Sequence, residues 1–244
     1  MAESNESIDL PVPVKKRPHW RVVIRPDTFN EERISTLKEC WDLVSSCRVT
    51  LRGWDYPHIQ RNVQKNGVDW ISSWHDGRDH LEYWRFYQSG QFVHLFSFWE
   101  DINRQEAERR AKVGFLGMPE NFTPSGYVDV IWTLLKITEI FEFATRITQK
   151  AEFTGFVSLT IQMIGIRNHI LCVFDPARSW DGFFPCEEAE IGKEWRVEAK
   201  SLISNSAELA RNATAWFYER FNWMDASNEL LLNEQRNMLE RRMR

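Results

Sequence analysis

The strongest constraint on the fold lies between residues 68 and 100, where three aromatic-rich segments follow one another with short interruptions. The segments are VDWISSWHD, HLEYWRFY and QFVHLFSFWE. The residues between them, Asp76-Gly77-Arg78-Asp79 and Gln88-Ser89-Gly90, are typical of tight turns, because glycine adopts positive φ angles without a steric cost. Connections this short join antiparallel neighbours, so the sequence predicts a three-stranded antiparallel meander.

A strand and a helix are predicted ahead of the meander. Residues 1–18 are polar, contain three prolines and predict a flexible lead-in. HWRVVIRP, which starts at His19, is rich in β-branched residues and ends at a proline, as expected of a strand. In the following segment Thr28 and Glu31 have the spacing of a capping box. Apolar residues then recur at helical spacing, at Ile34, Leu37, Trp41 and Val44.

The second half of the chain again combines strands with helices. Glycines and prolines between residues 114 and 124 mark an internal boundary. A long helix is predicted for Ser125–Lys150, and it is expected to be buried because apolar residues occupy most of its circumference. FTGFVSLTIQMIG and HILCVFD predict a hairpin turning near Gly165–Asn168, and EWRVEAKSLIS predicts a further strand. Ser204-Asn205-Ser206 is expected to cap a helix that runs to Trp223.

These elements predict an α+β fold in which antiparallel sheets pack with helices. The two halves, residues 19–103 and 122–224, are expected to share one core within a single domain, 19–224. The lead-in precedes this domain, and a C-terminal amphipathic helix, residues 225–244, follows it. The 12 tryptophans and 16 phenylalanines supply unusually bulky side chains for such a core.

Charge and cysteine content narrow the classes of function. The net charge of −4 produces a field that repels phosphate backbones, so nucleic acid is not an expected partner. The four cysteines show neither a C-x-x-C pair nor zinc-site spacing, and the N-terminus lacks the pattern of a signal peptide. No apolar run approaches the ~20 residues of a membrane span. We therefore expect a cytoplasmic protein with reduced thiols, no membrane association and no cofactor.

RVTLRGWDYPHI, residues 48–59, concentrates polar and aromatic side chains more densely than any other stretch. The segment Arg48–Arg52 alternates as a half-buried strand does, Gly53 allows the chain to turn, and Pro57 keeps the preceding residue extended. Side chains on such a loop are available for contacts. With the neighbouring hairpin they form the predicted binding surface, which comprises Arg52, Trp54, Asp55, Tyr56, His58, Arg85, Tyr87 and His94. The alternative is a structural corner in which the tryptophan plugs the end of the sheet.

Two further patterns raise catalytic or metal-binding alternatives. WHDGRDH places two histidines and two aspartates across a turn, from His75 to His80, where they have metal-ligating chemistry but also suit a tight hairpin. Glu198 and Lys200, on one face of the predicted strand, match the minimal pattern of magnesium-dependent nucleases. The same pair is equally natural on a solvated strand. No G-x-S-x-G, P-loop, H-E-x-x-H or G-x-G-x-x-G motif occurs, so we assign no catalytic or metal-binding residue.

Two strings, LRGWDYPHI and EYWRFYQSGQFVH, resemble a bacterial family that has no established activity, and the similarity runs from about His19 to Asp175. The same region is similar to the part that follows the ATPase-like, DNA-binding module in some Schlafen/AlbA-type regulators. The resemblance implies a sensor or adaptor role. The resemblance does not imply DNA binding, because the upstream module is not in this sequence. It also identifies no catalytic residue.

The leading hypothesis is therefore a non-catalytic module that binds a small ligand or a protein partner. One alternative is a metal-dependent nuclease built around Glu198 and Lys200. The other is a structural protein that forms homo-oligomers through its C-terminal helix, in which Leu230-Leu231-Leu232 is expected to be exposed.

Overall fold

The computed structural model describes residues 12–51, 53–60, 63–111, 118–175, 177–178, 180–224, 226 and 228–241. Four sequence-based predictions therefore fall partly or wholly outside the described residues. They concern residues 1–11 of the lead-in, Arg52 of the binding surface, residues 112–117 at the internal boundary, and residues 225, 227 and 242–244 of the C-terminal helix.

The described chain alternates between helices and strands. The first half contains α1 (Val12–Lys15), β1 (His19–Pro26), α2 (Leu37–Cys47), β2 (Lys65–Asn66), β3 (Trp70–Asp76), β4 (Leu81–Tyr87), β5 (Phe92–Ser97), α3 (Trp99–Ile102) and α4 (Arg104–Arg110). The second half contains β6 (Gly126–Asp129), α5 (Val130–Lys150), β7 (Phe156–Ile164), β8 (His169–Cys172), β9 (Glu190–Glu198), α6 (Ala199–Glu219) and α7 (Asn228–Arg241). The predicted α+β class is confirmed.

A seven-stranded antiparallel sheet joins the two halves of the chain, with strand order β2-β3-β4-β5-β1-β7-β9. β1 lies between β5 and β7, so that Val22 pairs with His94 on one side and with Ile161 on the other. Because β5 comes from the first half and β7 from the second, the backbone hydrogen bonds of β1 hold both halves in one sheet. β6 and β8 form a separate, two-stranded parallel sheet.

Side-chain alternation decides which face of the large sheet meets the helices. Trp20, Val22 and Ile24 of β1 are buried in the main core, together with residues of α2, α5 and α6. The opposite face carries a smaller buried cluster, formed by Val14, Leu81, Tyr83 and Leu95. The side chains of neighbouring residues in one strand therefore lie on opposite faces of the sheet.

The predicted meander is confirmed, since β3 pairs with β4 and β4 with β5, all antiparallel. Its last strand is shorter than predicted, because Ser97 ends β5 and Trp99 begins α3. The two-residue edge strand β2 was not predicted, and its polar sequence, Lys65-Asn66, carries no strand pattern.

α2 begins later than predicted, immediately after Thr36. The Thr36 hydroxyl accepts a hydrogen bond from the Glu39 backbone N–H at 3.1 Å, so the T-x-x-E pattern that caps the helix is 36–39 and not 28–31. The earlier residues are held by the sheet instead. The N–H of Ile34 donates to the carbonyl of Gln88 in the β4–β5 turn at 2.9 Å, which ties this segment to the hairpin.

The prediction of a strand at Arg48–Arg52 is wrong for the residues that the structure describes. Only Val49 pairs, through an isolated antiparallel bridge to Tyr56. The two backbone hydrogen bonds of this bridge measure 2.9 and 2.8 Å. The segment therefore pairs only with its own loop, and the pairing does not extend into a strand.

The predicted hairpin of β7 and β8 is also wrong. β7 pairs with β1 along one edge and with β9 along the other, so β8 has no free edge of β7 to join. It pairs in parallel with β6 instead. The first residues of the predicted long helix therefore form a strand, and α5 begins after Asp129, whose carboxylate accepts a hydrogen bond from the Trp132 N–H at 2.7 Å.

The last predicted strand ends at Glu198, where α6 begins. Glu198 pairs with Phe156, the first residue of β7, so the chain beyond it has no partner strand. Lys200 consequently lies in the first turn of a helix, and the predicted shared strand face with Glu198 is wrong. The predicted helix cap at Asn205 is a kink within α6, with φ −128° and ψ 21°.

Within the predicted C-terminal helix, residues 225–244, α7 runs from Asn228 to Arg241. Its leucines are not exposed as predicted, because Leu231 is 1% exposed within the main core and Leu230 and Leu232 are half-buried. The amide of Gln235, which is also buried, donates to the hydroxyl of Thr138 on α5 at 2.9 Å. None of the described helices combines the length and the apolar composition needed to cross a membrane.

We expect Thr36→Ala to lower the free energy of unfolding by about 1 kcal/mol, because the Glu39 N–H loses its acceptor at the start of α2. Urea denaturation followed by circular dichroism measures this change. Thr28→Ala, at an exposed threonine of the alternative T-x-x-E pattern, is the matched control and should change stability by less than about 0.5 kcal/mol. A larger loss for Thr28→Ala would show that the cap has been misplaced.

Candidate functional site

A cavity of about 370 Å³ lies between the large sheet, α3 and α5. Its walls carry six aromatic side chains: Trp20, Trp54, Phe96, Phe98, Trp99 and Trp132. Its polar lining comprises Asp79, His80, Ser97, Glu100, Thr133 and Lys136. We refer to these twelve residues as the aromatic pocket.

The floor of the aromatic pocket belongs to the helix-facing side of the sheet. Trp20 of β1 and Phe96 of β5 pair across the two strands, and their rings stack with a centroid distance of 5.8 Å and an interplanar angle of 12°. Trp132 and Lys136 lie one turn apart on α5, so both reach the same cavity. The pocket therefore takes its walls from both halves of the chain.

Two half-buried tryptophans meet at a second wall. The ring of Trp99 contacts the edge of Trp132 at a centroid distance of 4.9 Å and an interplanar angle of 65°. Trp99 is the first residue of α3 and follows the end of β5 after one intervening residue, so the turn from strand to helix brings its ring to α5. Both rings remain partly accessible to solvent.

Trp54 forms the third wall and is surrounded by three histidines, here termed the histidine cluster. Its ring stacks on His58 at 4.2 Å and contacts His80 at 4.8 Å and His75 at 5.1 Å. Burial lowers the pKa of His58. The indole nitrogen of Trp54 is buried and has no hydrogen-bond partner among the described residues. No three metal-ligating side chains of the described chain are arranged to hold an ion.

A buried carboxylate lies next to the histidine cluster. Glu82 is 2% exposed, and its Oε2 accepts a hydrogen bond from His94 Nε2 at 2.9 Å, while His80 Nε2 lies 3.4 Å away. Burial opposes the ionisation of Glu82, but the charge of His80 and the hydrogen bond from His94 hold its pKa below the ordinary value. Burial lowers the pKa of His94. We infer that a carboxylate and a neutral imidazole form this pair.

Tyr56 is a core residue and not a contact residue of the loop. It is 1% exposed, and its ring lies 5.0 Å from His94 and 5.7 Å from Phe143 of α5. Burial, reinforced by the nearby carboxylates of Glu82 and Glu139, raises its pKa well above the ordinary value. The hydroxyl therefore stays protonated.

Lys136 places an ammonium group against the aromatic floor. Its Nζ lies 5.2 Å from the centroid of Phe96 and 5.4 Å from that of Tyr56, both within the range of a cation–π contact. It also lies 3.2 Å from the carboxylate of the buried Glu139. The chain itself thus supplies one cation to the pocket.

Glu100 is a buried acid in the lining of the pocket. One carboxyl oxygen accepts a hydrogen bond from the Asp129 N–H at 3.1 Å. Burial raises the pKa of Glu100 to about 8, and the neighbouring carboxylates of Asp129 and Asp101 act in the same direction. Near neutral pH this carboxyl group therefore carries a proton that it can donate.

α5 also supports the loop that carries Trp54. Arg146 donates to the carbonyl of Arg48 at the end of α2 and pairs with Glu142 at 2.9 Å. Lys150 donates to the carbonyl of Ser46 at 3.2 Å. Basic side chains of α5 therefore satisfy carbonyl groups that the end of α2 leaves without an intrahelical partner.

The structure brings together half of the predicted binding surface. Trp54 and His58 stack on each other, and Tyr56 contacts His94 in the core beneath them. Asp55, instead of facing a partner, forms an ion pair of 2.7 Å with Arg48.

Arg85 and Tyr87 lie elsewhere, because Trp84 and His94 face the main core and the residues adjacent to Trp84 in β4 point to the other side of the sheet. Arg85 is held there over the ring of Trp70, with its guanidinium carbon 4.0 Å from the centroid, and it donates to the Tyr83 hydroxyl at 2.9 Å.

Most of the aromatic pocket was not predicted from the sequence. Trp99 and Trp132 were assigned to a strand and to a core helix, and their contact depends on tertiary packing. One local signal was available at Lys136, which interrupts the apolar segment VIWTLLKITEIF. A cation in the middle of an apolar helix segment indicates a partner or a cavity.

A serine, a histidine and an aspartate line up outside the pocket. Ser125 Oγ lies 3.0 Å from His169 Nδ1, and His169 Nε2 lies 3.1 Å from Asp101 Oδ2. The Ser125 hydroxyl, however, donates to the carbonyl of Arg167. Its single proton is therefore not directed at His169, as an activated nucleophile requires. We interpret this chain of hydrogen bonds as a structural link between α3 and β8.

Comparison with known proteins gave no match among protein-family models, curated proteins or solved structures. The family resemblance of LRGWDYPHI and EYWRFYQSGQFVH therefore stays a prediction.

The raised pKa of Glu100 predicts a pH-dependent contribution to stability. The folded state keeps the proton up to about pH 8, whereas the unfolded state releases it near 4.5, so this contribution is present below 4.5 and is lost as pH rises through 8. Glu100→Gln removes it. We expect the wild-type free energy of unfolding to fall between pH 5 and 9 by on the order of a few kcal/mol more than that of the variant.

Urea denaturation at the two pH values measures this difference. Asp129, whose pKa burial also raises, contributes a loss of the same sign that both proteins share. Glu120→Gln, at an exposed loop carboxylate, is the control and should behave as the wild type does. Parallel pH profiles for the wild type and Glu100→Gln would contradict the prediction.

Proposed function

We propose that the protein is a non-catalytic binding module whose ligand is a small planar aromatic molecule held in the aromatic pocket. The observation that carries the proposal is the set of six aromatic side chains around a cavity of about 370 Å³. Small-molecule sites are typically concave, span roughly 300–1,000 Å³, and combine apolar walls with a few polar groups that orient the ligand.

The ring geometry favours a planar ligand. Trp20 and Phe96 present a nearly parallel pair at the floor, whereas Trp99 and Trp132 meet edge to face. Aromatic rings attract one another in both arrangements, offset-stacked and edge-to-face. An inserted ring therefore finds faces to stack on and edges to contact within one cavity.

The polar lining supports binding in preference to catalysis. Glu100 already accepts a backbone hydrogen bond, and Lys136 is paired with Glu139. The hydroxyl of Ser97 donates to the carbonyl of Leu81 at 3.2 Å and so is not aimed at a base. Among the residues that line the pocket, no nucleophile is hydrogen-bonded to a general base in the way covalent catalysis requires.

A sensor or adaptor role is the wider form of this proposal. Both halves of the chain contribute walls, so a bound ligand contacts both and stabilises the arrangement that binds it. The sequence resemblance to a region that accompanies effector modules in bacterial regulators supports the same role in a bacterial cytoplasm.

Binding of an uncharged planar probe tests the proposed function. We expect 2-naphthamide to bind with one-to-one stoichiometry by isothermal titration calorimetry and to broaden in ligand-observed NMR. Trp132→Leu removes one wall but keeps an apolar side chain, and we expect it to weaken binding about 5-fold, since a lost ring contact is worth on the order of 1 kcal/mol.

Trp216→Leu is the matched control. Trp216 is half-buried on α6 and lies outside the lining of the pocket. We expect this variant to bind as the wild type does, with both variants retaining their circular dichroism spectra. Equal weakening in the two variants, or no saturable binding to the wild type, would count against the proposed function.

A further inference from the structure

Resting on the proposed function, we infer that the ligand is an aromatic anion, a planar ring bearing a carboxylate that is bound by the donor groups lining the pocket. The inference stands on the placement of one ammonium group and of N–H and O–H donors around the cavity. Each step below concerns one of these groups.

The cation of the pocket favours an anionic ligand over a cationic one. The ammonium group of Lys136 already lies over the rings of Phe96 and Tyr56, where it makes the cation–π contacts that an aromatic cage would offer to a ligand cation. A second positive charge would be repelled from this position. A carboxylate would instead add a partner to an ammonium whose known counter-ion, Glu139, lies in the core.

One ring nitrogen of the lining favours an anionic ligand in the same way. The N–H of Trp54 is buried without an acceptor among the described residues. His80 Nε2 adds no further free donor, because it lies 3.4 Å from the Glu82 carboxylate, with which it pairs. Leaving a buried donor unsatisfied costs free energy, and an acceptor oxygen of a ligand removes that cost. Hydrogen bonds to a carboxylate are stronger than those to a neutral carbonyl.

Near neutral pH the acidic side chains of the pocket do not offset its preference for an anionic ligand. Asp79 is exposed on the β3–β4 turn, where solvent screens its charge. Glu100 is protonated, and its hydroxyl is a further donor. The ionisable groups around Glu100 are Asp101 on α3, Asp129 and Cys172 on the small sheet, and His80 and Lys136 in the pocket.

Three probes that share one ring system test the charge of the ligand. We expect 2-naphthoate to bind at least about 10-fold more tightly at pH 7 than 2-naphthamide, and 2-(aminomethyl)naphthalene to bind most weakly. Isothermal titration calorimetry on the full chain measures all three dissociation constants. Raising the pH from 7 to 9 ionises Glu100 and should weaken naphthoate several-fold, while naphthamide changes little.

Two variants separate the donors from the shape of the pocket. Glu100→Gln keeps the carbonyl oxygen that accepts the Asp129 N–H, and it should abolish the loss of naphthoate affinity at pH 9. Trp54→Phe keeps a ring but removes the N–H, and it should reduce the preference for naphthoate over naphthamide by about 5-fold. Trp99→Phe, a matched change in another wall, should leave that preference unaltered.

The outcomes distinguish this inference from the proposed function. If naphthamide binds as tightly as naphthoate, or the amine binds best, the inference is overturned and the aromatic site remains. If none of the three probes binds, the proposed function itself fails. A naphthoate preference that Trp54→Phe and Trp99→Phe reduce equally would assign the effect to the ring walls and overturn the role of the Trp54 N–H.

Discussion

The position of β1 between β5 and β7 is the constraint on which the rest of the structure depends. One strand satisfies the backbone groups of two neighbours that come from different halves of the chain. This pairing places Trp20 beside Phe96 and brings the strand that leads into α3 beneath α5. The aromatic pocket exists because these elements meet along one line of the sheet. Without β1 the two halves would have separate edges and no shared floor.

Buried ionisable groups form a second layer beneath the aromatic walls. Glu82, Glu139 and Glu100 are all buried, and each has a different compensation: a histidine, an ammonium group and a retained proton. Burying charge is costly unless it is paired, so each of the three sites depends on its own compensating group. A polarised environment beneath an apolar surface is what discrimination between similar aromatic molecules requires.

Local patterns predicted the elements whose partners are adjacent in the sequence. The meander was predicted because its turns are encoded between its strands, and β1 because its apolar residues alternate. Long-range competition decided the failures: both edges of β7 were already occupied, so β8 joined β6, and two T-x-x-E patterns competed for one helix start. For the site, the alternation of side chains along β4 already places Arg85 and Trp84 on opposite faces of the sheet. The register that sets Trp84 opposite His94, however, cannot be predicted from the local sequence. Trp132 entered the site only through packing that no local pattern encodes.

The basic side chains with which α5 caps the end of α2 have a consequence for the walls of the pocket. Arg146 and Lys150 attach the base of the Trp54 loop to the same helix that carries Trp132. Two walls of the pocket are thus attached to one helix, so a substitution that displaces α5 is expected to displace both of them.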